Sequence, residues 1–283
     1  MGAPDRFMAL MVSRGWVSRK GHRAGRGDFA SLPGGVIEQN VVGMNTPSPL
    51  SASHEPTDAR DVGRMFDRIA PTYDALNGIL SFGLNKLWER KLVRQLPRDL
   101  DATYLDLCTG TGALIPKLAV RCARVVGADI SPQMLAEGRR RHKKISTCEF
   151  VQADAQNLPF TEGSFDAAAI AYGIRNVPDR VRALQEVNRV CKPGATLAIL
   201  EFGQARNRLW SALFGWYSRV VIPSVGAFVS GEREAYEYLR KTSAVFPCDE
   251  LFEALLREAG WVPMHTESLS GGVAYIYVAR KPG

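Results

Sequence analysis

The chain reads as an α/β protein built on a mostly parallel sheet with helices on both faces. Two observations predict this. From Ala102 onward, short apolar runs alternate with amphipathic helical patterns, and strands joined through helices run parallel with both faces covered. In addition, the first three runs are each closed by an acid, Asp106, Asp129 and Asp154, which would gather three carboxylates at one edge of such a sheet. The 283 residues, 46% hydrophobic and 23% charged, are enough for one large decorated domain.

Taken in order, residues 1–57 carry Gly, Ser, Pro and Arg with little periodicity and are expected to be a disordered tail. Their arginines and scarcity of acids also fit an organellar leader, and Met44 offers an alternative start. A domain spanning 58–283 follows, opening with a helical lid over 58–98. In 61–70, Val62, Met65, Phe66 and Ile69 share one helical face and Pro71 ends it. Helical patterns continue over Thr72–Ser81 and Leu84–Gln95. Strands are predicted at Tyr104–Leu107, Arg124–Ala128, Cys148–Gln152, Phe165–Ala171 and Thr196–Phe202. Helices are predicted between them at Ala113–Arg121, Pro132–His142 and Arg180–Cys191, with Pro193-Gly194 as the turn into the fifth strand. A helical insertion over 204–247 precedes a helix at Cys248–Ala259 and two closing strands, Trp261–Thr266 and Val273–Ala279. That pair makes seven strands and resembles the antiparallel end of a Rossmann-like class I methyltransferase sheet.

Charge and cysteine usage exclude some classes. The net charge of +7 comes largely from the N-terminal arginines and the run Arg139–Lys144. Such charge attracts nucleic acid or anionic membrane, although the run also fits the solvated end of a helix. Five scattered cysteines and four isolated histidines form no metal-ligand cluster, so no metal is expected and the chain reads as reducing and intracellular. The most apolar stretch, Leu209–Val229, is interrupted by Arg219 and Pro223 and is not a continuous membrane span.

The chemistry concentrates where the first strand meets its helix, at Asp106 to Gly112. Gly110 and Gly112 let backbone approach a ligand where a Cβ would collide. A dinucleotide site would want a third glycine at position 115, which is Ile115 here. Asp106 in the strand end suits an ammonium group better than a phosphate. Asp129 is placed to accept both ribose hydroxyls. Asp154 can accept an adenine amino group, with Ala155 permitting close approach. Together these predict S-adenosyl-L-methionine. As structure alone, three exposed carboxylates on one edge would be hard to explain.

From about Val62 to Lys281 the chain also resembles the quinone-biosynthesis C-methyltransferases. The resemblance is carried by Phe66-Asp67, Ala70, Tyr73-Asp74, Asn77, Ser81 and Trp88, then by Tyr172-Gly173-Ile174-Arg175-Asn176-Val177, Arg189-Val190, Lys192-Pro193-Gly194 and Leu200-Glu201-Phe202. Departures fall at Asn85, Ala171, Ala195 and Gly203. The resemblance implies methylation of a ring carbon of a polyprenyl hydroquinone, demethylmenaquinol first and a ubiquinol precursor as the alternative, with cofactor contacts at Thr111, Asp129, Asp154 and Ala155. It also implies a cytoplasmic enzyme, peripheral at the inner membrane face, as a homodimer or within a quinone-synthesis complex.

The reaction needs help in losing a phenolic proton, because the phenolate enriches the neighbouring ring carbon. Arg175 is the first candidate to stabilise that phenolate. Tyr73 and Asp74 in the lid are placed to face the same space, Tyr73 also fitting as a packing aromatic and Asn77 as a helix cap. The apolar residues of Leu209–Phe228 fit a tail channel, a membrane-facing helix, packed core or a dimer contact, and Tyr236 and Tyr238 follow them. Rival readings are weaker. Ile115 opposes a nicotinamide oxidoreductase. A base-methylating enzyme would show an acidic or amide residue before two prolines after the fourth strand, where this chain has Ala171-Tyr172-Gly173-Ile174, so no nucleic-acid partner is expected. A non-catalytic cofactor-binding scaffold is the remaining rival.

Overall fold

A computed structural model describes residues 59–70, 78, 81, 83–204, 238 and 241–283, all within the unit Thr46–Gly283. The tail, Tyr73, Asp74, Asn77, Tyr236, the 72–81 helix apart from Gly78 and Ser81, and most of the 204–247 insertion lie outside the described residues.

Two helices lead in, α1 (Ala59–Ile69) and α2 (Leu84–Arg94). The sheet then builds as β1 (Thr103–Leu107), α3 (Ile115–Leu118), β2 (Arg124–Asp129), α4 (Pro132–Arg141), β3 (Cys148–Gln152), β4 (Phe165–Ala171), α5 (Arg180–Val190), β5 (Cys191–Phe202), α6 (Glu250–Glu258), β6 (Val262–Leu269) and β7 (Ala274–Arg280). Strand order is β3-β2-β1-β4-β5-β7-β6. β1 to β5 pair in parallel, and β7 runs antiparallel to both β5 and β6. This is the seven-stranded, mostly parallel sheet that the strand–helix alternation predicts.

Alternate residues of each strand feed two cores, as the two-residue period of a strand requires. Leu105, Val126, Ala168, Ile170, Leu197 and Ile199 pack under α5 and α6. Tyr104, Val125, Ala167, Ala169, Ala198 and Leu200 pack under α2 and α3 with Trp88, Leu92 and Leu118. The alanines of β4 let helices approach both faces of the central strand. Trp261 is buried, and its indole N–H donates to the Leu184 carbonyl at 2.9 Å, which satisfies the one polar atom it carries inside.

Helix starts follow local chemistry. Ser131 caps α4, its hydroxyl accepting the Met134 N–H at 3.1 Å, with Pro132 next in the chain. Asp179 caps α5 through the Arg182 N–H at 2.9 Å. Asp67 of α1 adds a long-range cap, accepting from the Ser131 hydroxyl (2.6 Å) and the Gln133 N–H (3.2 Å). That contact ties α1 to the start of α4, where Ile69 and Ala70 pack on Met134.

Two expectations change. The helix after the glycine loop spans only Ile115–Leu118 rather than Ala113–Arg121. Lys192–Ala195 does not precede the fifth strand but bulges within it, between the pairings Phe165↔Cys191 and Ala167↔Thr196. Gly194 supplies the left-handed residue there, at φ 77°, and the backbones of Gly194, Ala195 and Lys281 lock the bulge to the end of β7.

Candidate active site

The strand order reverses direction between β1 and β4, and crevices at such a switch point are where open α/β sheets bind ligands. A cavity of about 360 Å³ lies there, at the carboxyl ends of β1 to β4, and α1 and α2 contribute to its walls. Asp106, Gly110, Thr111, Asp129, Asp154 and Ala155 all line it. In sheet order the acids run Asp154, Asp129, Asp106, and β4 then brings Tyr172 and Asn176.

The acids are not the exposed carboxylates expected from sequence. Asp106 is 1% exposed, and its Oδ2 accepts the Thr109 hydroxyl at 2.6 Å. Burial pushes its carboxyl up to about 7; the Thr109 hydrogen bond opposes the rise, Asp129 adds to it, Lys117 opposes it and Glu89 adds to it. Asp129 accepts one backbone N–H on each oxygen, from Gly110 (2.8 Å, Oδ2) and Ser131 (2.9 Å, Oδ1). Burial also raises Asp129 despite those N–H groups. Each oxygen keeps a lone pair, the arrangement a vicinal diol needs. Asp154 is fixed by Gln156, whose backbone N–H donates to Oδ1 at 2.9 Å.

The two glycines of the loop have different duties. Gly110 (φ 54°) lines the cavity, and a Cβ on it would meet only open space. Gly112 (φ 82°) is not among the lining residues: a Cβ there would lie 2.8 Å from the His142 ring. His142 stacks on Phe150, and its Nε2 lies 3.2 Å from the Thr111 carbonyl, so it braces the loop from behind.

Left-handed backbone recurs in ordinary residues at the ends of β1 and β4, at Cys108 (φ 56°) and Tyr172 (φ 58°). Strain of this kind collects at ligand sites. Gly173 is obligatory beside it, because a Cβ there would sit 2.2 Å from that of Cys108. Burial, reinforced by the surrounding carboxylates, holds the Cys108 thiol well above its usual range, so this cavity-lining cysteine stays neutral.

Arg175 is not among the cavity-lining residues. Its guanidinium is buried, with Nη1 at 2.5 Å from both Glu201 Oε1 and the Tyr172 carbonyl. It lies over the Phe202 ring, 5.2 Å from the centroid, and Phe202 stacks on Tyr172. Its neighbour Asn176 does line the cavity, with Nδ2 directed at the Tyr172 carbonyl (3.5 Å) and a buried Oδ1 that has no hydrogen-bond partner among the described residues. Tyr238 is half-buried close enough to Arg175 and Arg180 to feel their charge.

Sequence reasoning missed the contribution of α2. Asn85 and Glu89, one turn apart, line the cavity, and Glu89 is 5% exposed and paired with Lys117 of α3 at 2.9 Å. The available signal was an acid on the same helix face as Trp88, Leu92 and Val93.

The site fits S-adenosylmethionine and not a dinucleotide. A buried carboxylate is costly unless compensated, and a cationic ligand beside Asp106 would compensate it. The Gly110 N–H, of the kind that cradles pyrophosphate in dinucleotide folds, is taken by Asp129, and a four-residue α3 is a weak anion site. This fold and cavity are those expected of a class I S-adenosylmethionine-dependent methyltransferase.

The family follows from comparison with known proteins. Residues 54–281 match the model of the ubiE/COQ5 methyltransferase family, and the chain belongs to that family. It is 40% identical over 231 residues to the ubiquinone/menaquinone biosynthesis C-methyltransferase UbiE of Bdellovibrio bacteriovorus, covering 80% of this chain and 97% of that one. It is 39% identical over 224 residues to the demethylmenaquinone methyltransferase of Beutenbergia cavernae, covering 79% and 92%. Among solved structures, the [4+2]-cyclase SpnF superposes with a TM-score of 0.60 at 19% identity, covering 82% and 99%. That likeness concerns fold alone, since one fold hosts many chemistries.

Proposed function

We propose that this enzyme methylates a ring carbon of a polyprenylated hydroquinone, with demethylmenaquinol as its substrate and menaquinol as its product. The observation that carries this reading is the wall beside the acids, where Ala171, Tyr172, Val177 and Pro178 continue the cavity past Asp106. A flat ring fits such a wall, and relatives with quinone-biosynthesis names share nearly the whole domain.

When bound, S-adenosylmethionine supplies an electrophilic methyl group on a sulfonium. The chain's own part is to hold and orient. Asp129 takes the ribose hydroxyls, Asp154 and Ala155 the adenine, Gly110 and Thr111 give room at the loop, and Asp106 takes the ammonium. Asn176 lines the wall at this point and contributes a neutral amide to the ring's surroundings, one not basic enough to take a phenolic proton. Arg175 acts on the same region indirectly, fixing Tyr172 through its carbonyl and adding positive charge behind the aromatic wall as the phenolate develops. Tyr73 and Asp74 stay candidates for contact with the ring in this reading, and the reaction calls for water to be kept from the reacting carbon.

A polyprenyl tail keeps the substrate in a bilayer, so the enzyme works at the membrane's inner face. No helix among the described residues is long and apolar enough to cross a membrane. Leu87 of α2, 58% exposed, neighbours the exposed cations Lys86 and Arg90, a pattern suited to an anionic lipid surface.

The test is turnover by purified full-length protein of a short-chain demethylmenaquinol, kept reduced, with methyl-labelled cofactor. Label in menaquinol supports the reading. Label only in a benzenoid ubiquinol precursor shifts it to that substrate. Cofactor binding without transfer to either ring leaves a scaffold. Accumulation of demethylmenaquinone in a deletion strain checks the same assignment in the cell.

A further inference from the structure

An α-amino acid carries two opposite charges, and a site that recognises it must answer both. Asp106 answers the ammonium. Among the described residues, three cations line the cavity, Lys86, Arg90 and Lys117. Lys86 and Arg90 are exposed on α2, where water screens them. Lys117 is different: its side chain is 25% exposed and follows directly on the glycine loop.

Lys117 is also held in place. Its Nζ donates to Glu89 Oε2 at 2.9 Å and to the Ala113 carbonyl at 2.6 Å. An ammonium has three donors, so one N–H remains for a ligand. Glu89 comes from the buried face of α2 and fixes Lys117 by direct contact. Both groups lie close enough to Asp106 for their charges to act on it in opposite senses. The result is a buried anion and a tethered cation lining the same cavity, near enough to influence one another.

We propose that Lys117, positioned by Glu89, receives the α-carboxylate of the cofactor while Asp106 receives its α-ammonium, so that the cavity selects the intact amino-acid end rather than adenosine alone. This rests on the reading of the cavity as the cofactor site. Glu89 is a positioning residue: it joins α2 to α3 through Lys117, so the entry helix takes part in cofactor recognition.

The experiment compares two ligands by calorimetry on the full-length protein. S-adenosylhomocysteine carries the amino-acid end; 5′-methylthioadenosine lacks it. Lys117→Met is expected to weaken the first by roughly 10- to 100-fold, the loss of one charge-assisted hydrogen bond, and to leave the second within about two- to threefold. Lys117→Arg should recover part of the difference, because it keeps the charge. Glu89→Gln should reduce the ratio of the two affinities by a smaller factor than Lys117→Met. Removing Lys117 alone strips this cation from the buried Glu89, so Glu89→Gln/Lys117→Met serves as the folded control and should show the same collapse of the ratio. An unchanged ratio in both Lys117 variants overturns the proposal. Asp129→Ala separates this from failure of the cofactor site itself: it should weaken both ligands, and if it weakens neither, the site lies elsewhere and both readings fall.

Discussion

Arg175 and Glu201 form a buried ion pair at the carboxyl edge of the sheet, Nη1 to Oε1 at 2.5 Å, with side chains 3% and 0% exposed. Glu201 also accepts the Arg175 backbone N–H at 3.2 Å, so one carboxylate holds both ends of the residue. Arg180 closes the arrangement by donating to the Arg175 carbonyl at 3.1 Å. The arginine of the Gly-Ile-Arg-Asn segment is therefore part of the wall's foundation as well as a candidate for the chemistry.

Arg175→Met should accordingly lose stability and turnover together. Breaking a buried pair by removing one partner costs about 3–5 kcal/mol, because the other charge is left uncompensated. Arg175→Met/Glu201→Leu removes both charges and should recover most of that loss in urea melts. Turnover should stay low in the double variant, since the positive charge behind Tyr172 is gone. A single variant with wild-type stability and low turnover would mean that Arg175 works on substrate directly.

Asp129→Ala should remove detectable cofactor binding while leaving the fold intact. Its carboxylate accepts only backbone N–H groups at the loop and at the start of α4, and burial already disfavours its charge. Removing the charge therefore costs the fold little while depriving the ribose of its acceptor. Calorimetry with S-adenosylhomocysteine beside a thermal melt checks both halves; wild-type affinity would sink the ribose assignment.

The glycine loop gives a paired prediction. Gly112→Ala meets the His142 ring at 2.8 Å and a φ of 82°, so it should destabilise the protein by about 1–3 kcal/mol through overpacking and backbone strain. Gly110→Ala has a φ of 54° and open space ahead of it, so it should cost less stability and more cofactor affinity, its methyl entering the cavity. Melting curves and binding constants of the two variants should rank in opposite orders. Equal ranks would mean that Gly112, too, faces the ligand.

These contrasts show what the chain discloses by itself. The sheet was legible because its strands are short apolar runs closed by acids, and Asp106, Asp129 and Asp154 fall at the cavity where that pattern puts them. Local chemistry such as the Ser131 and Asp179 caps is readable for the same reason: donor and acceptor lie three residues apart. Long-range partners were not. Nothing local announces that Gly112 accommodates His142, that Glu201 takes Arg175, or that Glu89 meets Lys117 across 28 positions. Burial was misread for a related reason: an acid at a strand end looks exposed until α2 and α1 are folded over it.

Asp106 makes the last prediction, a dependence on pH in two opposite senses. Its carboxyl is raised from 3.8 to about 7, chiefly by burial. Below about pH 4 it is protonated whether the chain is folded or not. Between about pH 4 and pH 7 the folded chain keeps a proton that the unfolded chain has lost, so stability falls as pH rises through that window. Asp106→Asn should therefore match the wild type near pH 4 and exceed it by a few kcal/mol near pH 8, because each tenfold difference in proton affinity between the folded and unfolded chain is worth about 1.4 kcal/mol. Cofactor binding runs the other way. The ammonium favours the ionised carboxylate, so affinity should rise with pH towards about 7 and decline above about 8, where an α-amino group loses its own proton. At pH 6 binding must then expel a proton, and the calorimetric enthalpy should differ between buffers of different ionisation heat. Asp106→Asn has no proton to expel and should give one enthalpy in all buffers. A wild type that also gives one enthalpy would show that no proton leaves Asp106 when the ligand binds, and would sink this coupling between its ionisation and the ammonium.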